Sequence, residues 1–281
     1  MDVTNIIIPQ GRLAINLAYG QKLINDYLFE LDQVSNGVPY AELGIGERRA
    51  ASLPKMVETP NDKKPFKNDR IVVVTLNGMI KADDGWSSYG TRTVGEKLIE
   101  AGRDKDVIGA LFKINSGGGY MDGAEAMIAA MREFGKPIIT LASYAGSAAY
   151  MIASESTQIN AETDFSEFGS IGVYIDLNKQ FKDLYKQYVE TAYSENSPNK
   201  NKAFRDWLEN DDLSGFVKQA TEADDMFMGL IKKNRKLTAS TKEETLSGGM
   251  FYAKDAQARG LIDGISNNAK SISTLQKLSR I

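Results

Sequence analysis

With 281 residues, 42% hydrophobic and 25% charged, the chain has the size and balance of a soluble globular protein, either one large domain or one domain plus an extension. Its net charge of −3 predicts neither nucleic-acid binding nor attraction to an anionic membrane. Cysteine and histidine are both absent, which excludes disulfides, thiolate nucleophiles, zinc–thiolate sites and every hydrolytic triad built on an imidazole. Only a carboxylate site for a hard cation is left, and the reading is of no metal and no cofactor.

Residues 1–50 read as a helical extension. Leu13, Leu17, Ile24, Tyr27, Leu28 and Leu31 recur at helical spacing and make one apolar stripe. Such a helix packs on the main body; an arm that docks on a neighbouring subunit or partner is the sharper alternative. The opening "MDVTNIIIPQGRLAINLAYG" has no basic leader, and Pro9, Arg12 and Asn16 interrupt its apolar character, so it does not read as a secretory signal. No later stretch approaches the roughly 20 apolar residues that span a bilayer. The expectation is a cytoplasmic protein without a membrane anchor.

Residues 51–70 read as a linker, because "SLPKMVETPNDKKPFKNDR" holds three prolines and many charges. From residue 71 to 281 the pattern is that of a folded domain. "IVVVTLNGMI" is a β-branched run and hence a buried strand. "TVGEKLIEAGRD" predicts a short helix with Thr93 as N-cap and Glu96 in the capping-box position. "VIGALFKIN" is a second buried strand, ended by the glycine turn "SGGG". An alanine-rich helix, "MDGAEAMIAAMREFG", follows and is closed by Gly135. "KPIITLAS" is a third strand, and "YAGSAAYMIAS" turns into another helix. "STQINAE" and "SIGVYIDL" predict strands, "NKQFKDLYKQY" a helix and "VETAYS" a further strand. Repeated strand–glycine–helix units predict an α/β fold with a parallel sheet and right-handed crossovers.

Sites in such folds sit at the carboxyl ends of strands, and two glycine-rich stretches fall there. "INSGGGYMDGAEAM" places exposed backbone N–H groups at a helix start, suited to an anion or a developing oxyanion; a plain tight turn is the ordinary alternative. It lacks the Gly-Lys-Ser/Thr of a phosphate loop. "YAGSAAYMIAS" sets Ser147 between Gly146 and Ala148 at a strand-to-helix turn, where small neighbours let a carbonyl approach. A core serine or a helix N-cap is the bland reading of such a residue. The two stretches together favour a nucleophile beside a donor turn. With no histidine, its base is a carboxylate, a lysine or the N-terminal amine. A free lysine has a pKa of about 10.4, so roughly one molecule in a few thousand is neutral at pH 7, and burial raises that fraction.

"INSGGGYMDGAEAM", "YAGSAAYMIAS" and "FGSIGV" together resemble the signal peptide peptidase A family and its phage head-maturation protease relatives, which share the Clp protease/crotonase fold. The family's N-S-P-G-G appears as Asn115-Ser116-Gly117-Gly118-Gly119, with Gly117 in place of proline. Ser147-Ala148-Ala149-Tyr150 has the phage-type spelling, and Phe168–Val173 stands for the family's T-G-S-I-G-V element. "FYAKDAQARGLIDGI" matches its closing helix, so the resemblance covers roughly residues 71–265.

The resemblance implies a soluble serine endopeptidase with a Ser–Lys dyad: Ser147 as nucleophile, the N–H groups of Gly119 and Ala148 as oxyanion hole, and Ser170 orienting the lysine. The lysine follows S-G-x-x-K in the family. Here the corresponding "SENSPNKNKAF" has Glu195 for glycine and a short insertion, so that Lys200 and Lys202 both fit; Lys200 is nearer the usual distance. The resemblance further implies a peptide or protein substrate bound as an added strand, and a homo-oligomeric ring in which one protomer's lysine serves its neighbour's serine. A ring-facing or core role then falls to the amphipathic stretch with Phe216, Met226, Phe227 and Leu230. The extension and the Ser-Ala-Ala-Tyr spelling lean towards capsid maturation in a phage prohead; a cytosolic peptide-degrading protease is the other role. A crotonase-type acyl-CoA enzyme and a catalytically inactive scaffold of the same fold are the alternatives.

Overall fold

The computed structural model describes residues 13–15, 53–58, 69–85, 88–238 and 243–279. Their centre is a mostly parallel sheet. Strands β3 (Arg70–Ile80), β4 (Val107–Tyr120), β5 (Ile138–Gly146), β6 (Gln158–Ala161) and β9 (Gly264–Ile265) run parallel in the order β3-β4-β5-β6-β9. Antiparallel strands complete it: β2 (Lys55–Glu58) on β3, β1 (Leu13–Ile15) on the far end of β4, and β8 (Met250–Tyr252) on β7 (Glu167–Gly169). β7 itself lies parallel to the end of β5.

The buried strands are hydrophobic on both faces because both faces are covered. On β4, Ala110, Phe112 and Ile114 join the main core, while Leu111 between them points to the opposite side. That period of two recurs on β3 and β5. The main core lies under α1 (Thr91–Gly102), α2 (Met121–Phe134), α3 (Ala148–Ser154) and α6 (Ser214–Arg235), the last contributing buried Phe227 and Ile231. A smaller cluster of Ile71, Leu111, Ile139 and Leu141 is closed by Leu275 of α8 (Asn268–Leu278), which follows the short α7 (Ala253–Ala258).

Gly135 closes α2 as expected, in the left-handed region at φ 66°. Other expectations shift. α1 begins at Thr91, two residues before the anticipated cap, and its N-cap Gly90 instead donates its N–H to Asp84 at 2.8 Å. "SGGG" is not a turn, for β4 continues through it to Tyr120. "VETAYS" forms no strand; it is largely exposed, and the Arg205 guanidinium covers the Tyr193 ring at 4.4 Å. "SIGVYIDL" carries only an isolated bridge. Residues 55–58, expected in a linker, extend the sheet as β2. Leu13–Ile15 is a strand where the apolar stripe predicts helix; the rest of that extension lies outside the described residues.

α4 (Lys179–Tyr188) and α5 (Lys202–Asn210) form a layer with its own aromatic cluster. Tyr185 meets Phe204 edge-on at 5.1 Å, and Phe204 meets Trp207 at 5.8 Å. Lys182 is buried there, its ammonium paired with Asp211 and lying 5.5 Å from the Trp207 ring centre. Among the described residues, no helix is long and apolar enough to cross a membrane.

One hydrogen bond ties α3 to the chain's closing element. The Tyr150 hydroxyl, fully buried, donates to the Leu261 carbonyl at 2.7 Å. Burial pushes that phenol's pKa well up, so it stays a donor throughout the range in which the protein is handled. Tyr150→Phe should therefore lower the unfolding free energy by about 1–3 kcal/mol, because the Leu261 carbonyl is left buried without its partner. Urea denaturation of the two proteins checks this.

Candidate active site

The site is built where parallel strands end. β5 pairs with β4 as far as Ser116↔Ala145, and with β6 as far as Ala142↔Ala161. Beyond β6, the same edge of β5 is taken up by β7, in register Gly146↔Gly169. The next residues on the two strands are Ser147 and Ser170.

Both serines have backbones that L-residues rarely adopt. Ser147 has φ 53° and ψ −123°, and Ser170 has φ 51°. Strain of this kind costs on the order of 1–3 kcal/mol and persists only where surrounding structure imposes it. Here the Ser147 N–H donates to the Gly169 carbonyl at 2.8 Å, and the Ser170 N–H to the Gly249 carbonyl at 2.7 Å. Gly169 is needed between them: its φ is +134°, and a Cβ would stand 2.3 Å from the Gly249 oxygen. Ser147 is 1% exposed, and its hydroxyl reaches the Gly172 carbonyl only at 3.4 Å, long for an O–H···O bond.

α3 starts at Ala148, a buried residue whose N–H is among the first of the helix and has no acceptor within it. The glycine stretch of β4 runs alongside. A Cβ placed on Gly146 would lie 3.3 Å from the Gly117 carbonyl. Gly119 packs so tightly against β3 that a Cβ there would sit 2.1 Å from the Ile80 carbonyl oxygen. Ser116 pins this stretch, its buried hydroxyl donating to the Gly78 carbonyl at 2.6 Å and accepting the Gly118 N–H at 3.1 Å. Ser147, Ala148, Ser170 and the glycine stretch ending at Gly119 are thus gathered at one end of the sheet.

The two lysines are not joined to that group. Lys202 opens α5, is 56% exposed and places its ammonium 2.6 Å from Asp206, one helical turn on. Lys200 is exposed in the loop before it, its N–H donated to the Ser197 carbonyl. Neither makes a hydrogen bond or ion pair with Ser147 or Ser170 among the described residues.

Two further residues escape a reading of the sequence alone. Ser116 lies inside the recognised motif, but its two bonds reach across strands. Asp224 comes from α6, and its Oδ1 is buried without a hydrogen-bond partner, 3.8 Å from where a Cβ on Gly172 would stand. Burial, and then the charge of Asp225, raises the Asp224 pKa, while the Val173 N–H pulls the other way. The only signal in the sequence is its place next to Ala223 on the buried stripe.

Ser116→Ala removes the hydroxyl's bonds to the Gly78 carbonyl and the Gly118 N–H, so it should cost about 1–3 kcal/mol of stability and slow any reaction at Ser147. Denaturation midpoints, read beside the rate of fluorophosphonate labelling, test both effects.

Comparison with known proteins places the chain among peptidases of one family. The profile of Peptidase family S49 matches residues 130–281, more than half of the chain. The putative signal peptide peptidase SppA of Enterococcus faecium is 29% identical over 234 residues, which cover 76% of this chain and 65% of that protein. The chloroplastic serine protease SPPA of Arabidopsis thaliana is 26% identical over 227 residues, 76% of this chain and 33% of that one. Protease 4 of Salmonella typhi is 25% identical over 221 residues, 75% of this chain and 35% of that protein. The chain therefore corresponds to under two thirds of the length of each.

Proposed function

Because the chain belongs to Peptidase family S49, whose members have the Clp protease/crotonase-like fold, we propose that it is a serine endopeptidase with Ser147 as its nucleophile and a lysine as its base. The observation that carries this reading is the strained backbone of Ser147, held at a strand end beside the glycine stretch and against Ser170.

In the proposed reaction the Ser147 hydroxyl oxygen attacks the scissile carbonyl carbon and its proton passes to a neutral lysine amine. The oxyanion that forms meets the N–H groups of Gly119 and Ala148. The C–N bond breaks, the departing amine takes the proton from the lysine, and an acyl-serine is left. Water then attacks that ester with the same lysine as base, releasing the second product and restoring the serine. Ser170 orients the lysine amine.

We place the base at Lys200, with Lys202 as its rival, and bring it from a neighbouring protomer of a homo-oligomeric ring. Within one chain Lys202 is engaged by Asp206 and Lys200 is exposed, which supports delivery across an interface. Exposed apolar residues on the same layer support assembly: Phe181, Leu184 and Tyr188 of α4, Leu213, and Val217 of α6. The unpaired Asp224 oxygen beside Gly172 offers an arriving ammonium a partner. The substrate is a peptide or protein bound as an added strand; trimming of capsid proteins in a phage prohead and cytosolic peptide degradation are the roles proposed for it.

Ser147→Ala should abolish peptide hydrolysis and fluorophosphonate labelling while leaving the circular dichroism unchanged; turnover within a few-fold of the parent would overturn the assignment. The rate should climb towards alkaline pH without a histidine-like limb near about 6.5, since a lysine base must lose its proton. A bell centred near about pH 5 would point to carboxylates instead. Mixing Ser147→Ala with Lys200→Ala under conditions of proven subunit exchange should restore part of the activity. A mixture that stays dead rejects the shared site, and an active Lys200→Ala beside a dead Lys202→Ala transfers the role to Lys202.

A further inference from the structure

Strand β1 occupies a telling position. A strand has two edges, and β4 uses both. One is held by β3, up to Met79↔Gly118 and Ile80↔Gly119. The other is held by β5, but only as far as Ser116↔Ala145, because β5 then turns away through Ser147 into α3. β1 pairs with β4 at Ile15↔Gly118, Ala14↔Gly119 and Leu13↔Tyr120. With β3 on the first edge, β1 is on the second, in line beyond the end of β5. It therefore lies antiparallel to the glycine stretch, on the side where Ser147 stands. Ser147 is 1% exposed, and Gly117, Gly118 and Gly119 are buried as well.

We propose that residues 13–15 form a built-in competitor that holds the substrate strand's place and so restrains the enzyme in cis. This rests on the peptidase reading and adds its regulation. The physical argument is exclusion. One edge of β4 accepts one partner strand, so a peptide pairing with Gly118–Tyr120 must first displace β1. The competitor is tethered to the domain, and tethering of this sort gives an effective concentration on the order of millimolar. The pairing spans three residues among those described, short enough to open and exchange. Substrate then binds only the fraction of molecules in which the edge is free, which raises KM and leaves kcat unaltered.

The test uses the full chain carrying Ala14→Pro and Ile15→Pro together. Successive residues of a strand alternate in facing their partner, so one of the two prolines removes a donor from the ladder. If the edge is blocked about nine-tenths of the time, the double variant should show KM for a peptide substrate lowered roughly tenfold with kcat unchanged. A second variant, Leu13→Gly with Ala14→Gly and Ile15→Gly, keeps every N–H but weakens the strand, and should shift KM in the same direction by less. Binding is read separately from catalysis. In a Ser147→Ala background, a fluorescent peptide of residues 10–19, QGRLAINLAY, should bind the proline variant more tightly than the unmodified N-terminal sequence. Equal binding to both, or an unchanged KM in a folded proline variant, overturns the proposal. Loss of hydrolysis and of fluorophosphonate labelling in every protein defeats the peptidase reading, and the peptide-binding contrast still decides whether β1 holds the edge.

Discussion

The hydrogen bond from the Ser147 N–H to the Gly169 carbonyl, 2.8 Å long, fixes the point on which the site depends. It stitches β7 to β5 at the residue where β5 stops being a strand. A helix begins at the next residue, so the backbone of Ser147 must bend through a positive φ. The neighbouring bond from Ser170 to Gly249 does the same one strand over. Two serines are thereby held in conformations neither would choose alone, with the sheet and α3 supplying the restraint. The burial of Ala148, Ala149 and Tyr150 makes that restraint stiff, since a closely packed helix cannot shift to relax one residue.

The glycine stretch depends on a different constraint, the closeness of β3. Gly119 abuts the Ile80 carbonyl, and the Ser116 hydroxyl bonds across to Gly78, so the glycine stretch is fixed from behind by the backbone of β3. Its front edge is the one that β5 abandons. The same departure that turns the chain through Ser147 also frees that edge of β4 from β5, and a strand edge without its neighbour attracts another strand. Whether that strand is substrate or the protein's own β1 is a matter of competition for one row of backbone groups.

Ser147 and the two lysines belong to different parts of the fold. The sheet, α3 and the segment after β7 are shaped by one buried core, and so Ser147, Ser170 and the glycine stretch come together within the chain. Lys200 and Lys202 belong instead to the α4–α5 layer, which has its own aromatic cluster and a set of exposed apolar side chains. Residues on such a layer take their final surroundings from whatever packs against it.

The sequence by itself determined the parallel core and the two stretches at its strand ends. Both are local patterns: β-branched runs such as "IVVV" set buried strands, and small residues around Ser147 and after Asn115 mark where backbone must pass close to backbone. Gly135 as a helix stop was equally legible, because a left-handed cap is a property of one residue. What only the tertiary structure decided was everything that depends on which edges remain open. "VETAYS" has strand propensity but stays exposed and forms no strand, whereas Leu13–Ile15, with a helical apolar rhythm, pairs with the edge of β4 that β5 leaves. "SGGG" looks like a turn and is a strand, since β3 pairs again with Gly118 and Gly119 after an irregularity at Ser116 and Gly117. Asp224 reads as one more charge on an amphipathic helix until α6 packs and sets its carboxylate beside Gly172. Strand pairing and burial are relations between distant segments, and local propensity cannot report a partner that lies a hundred residues away.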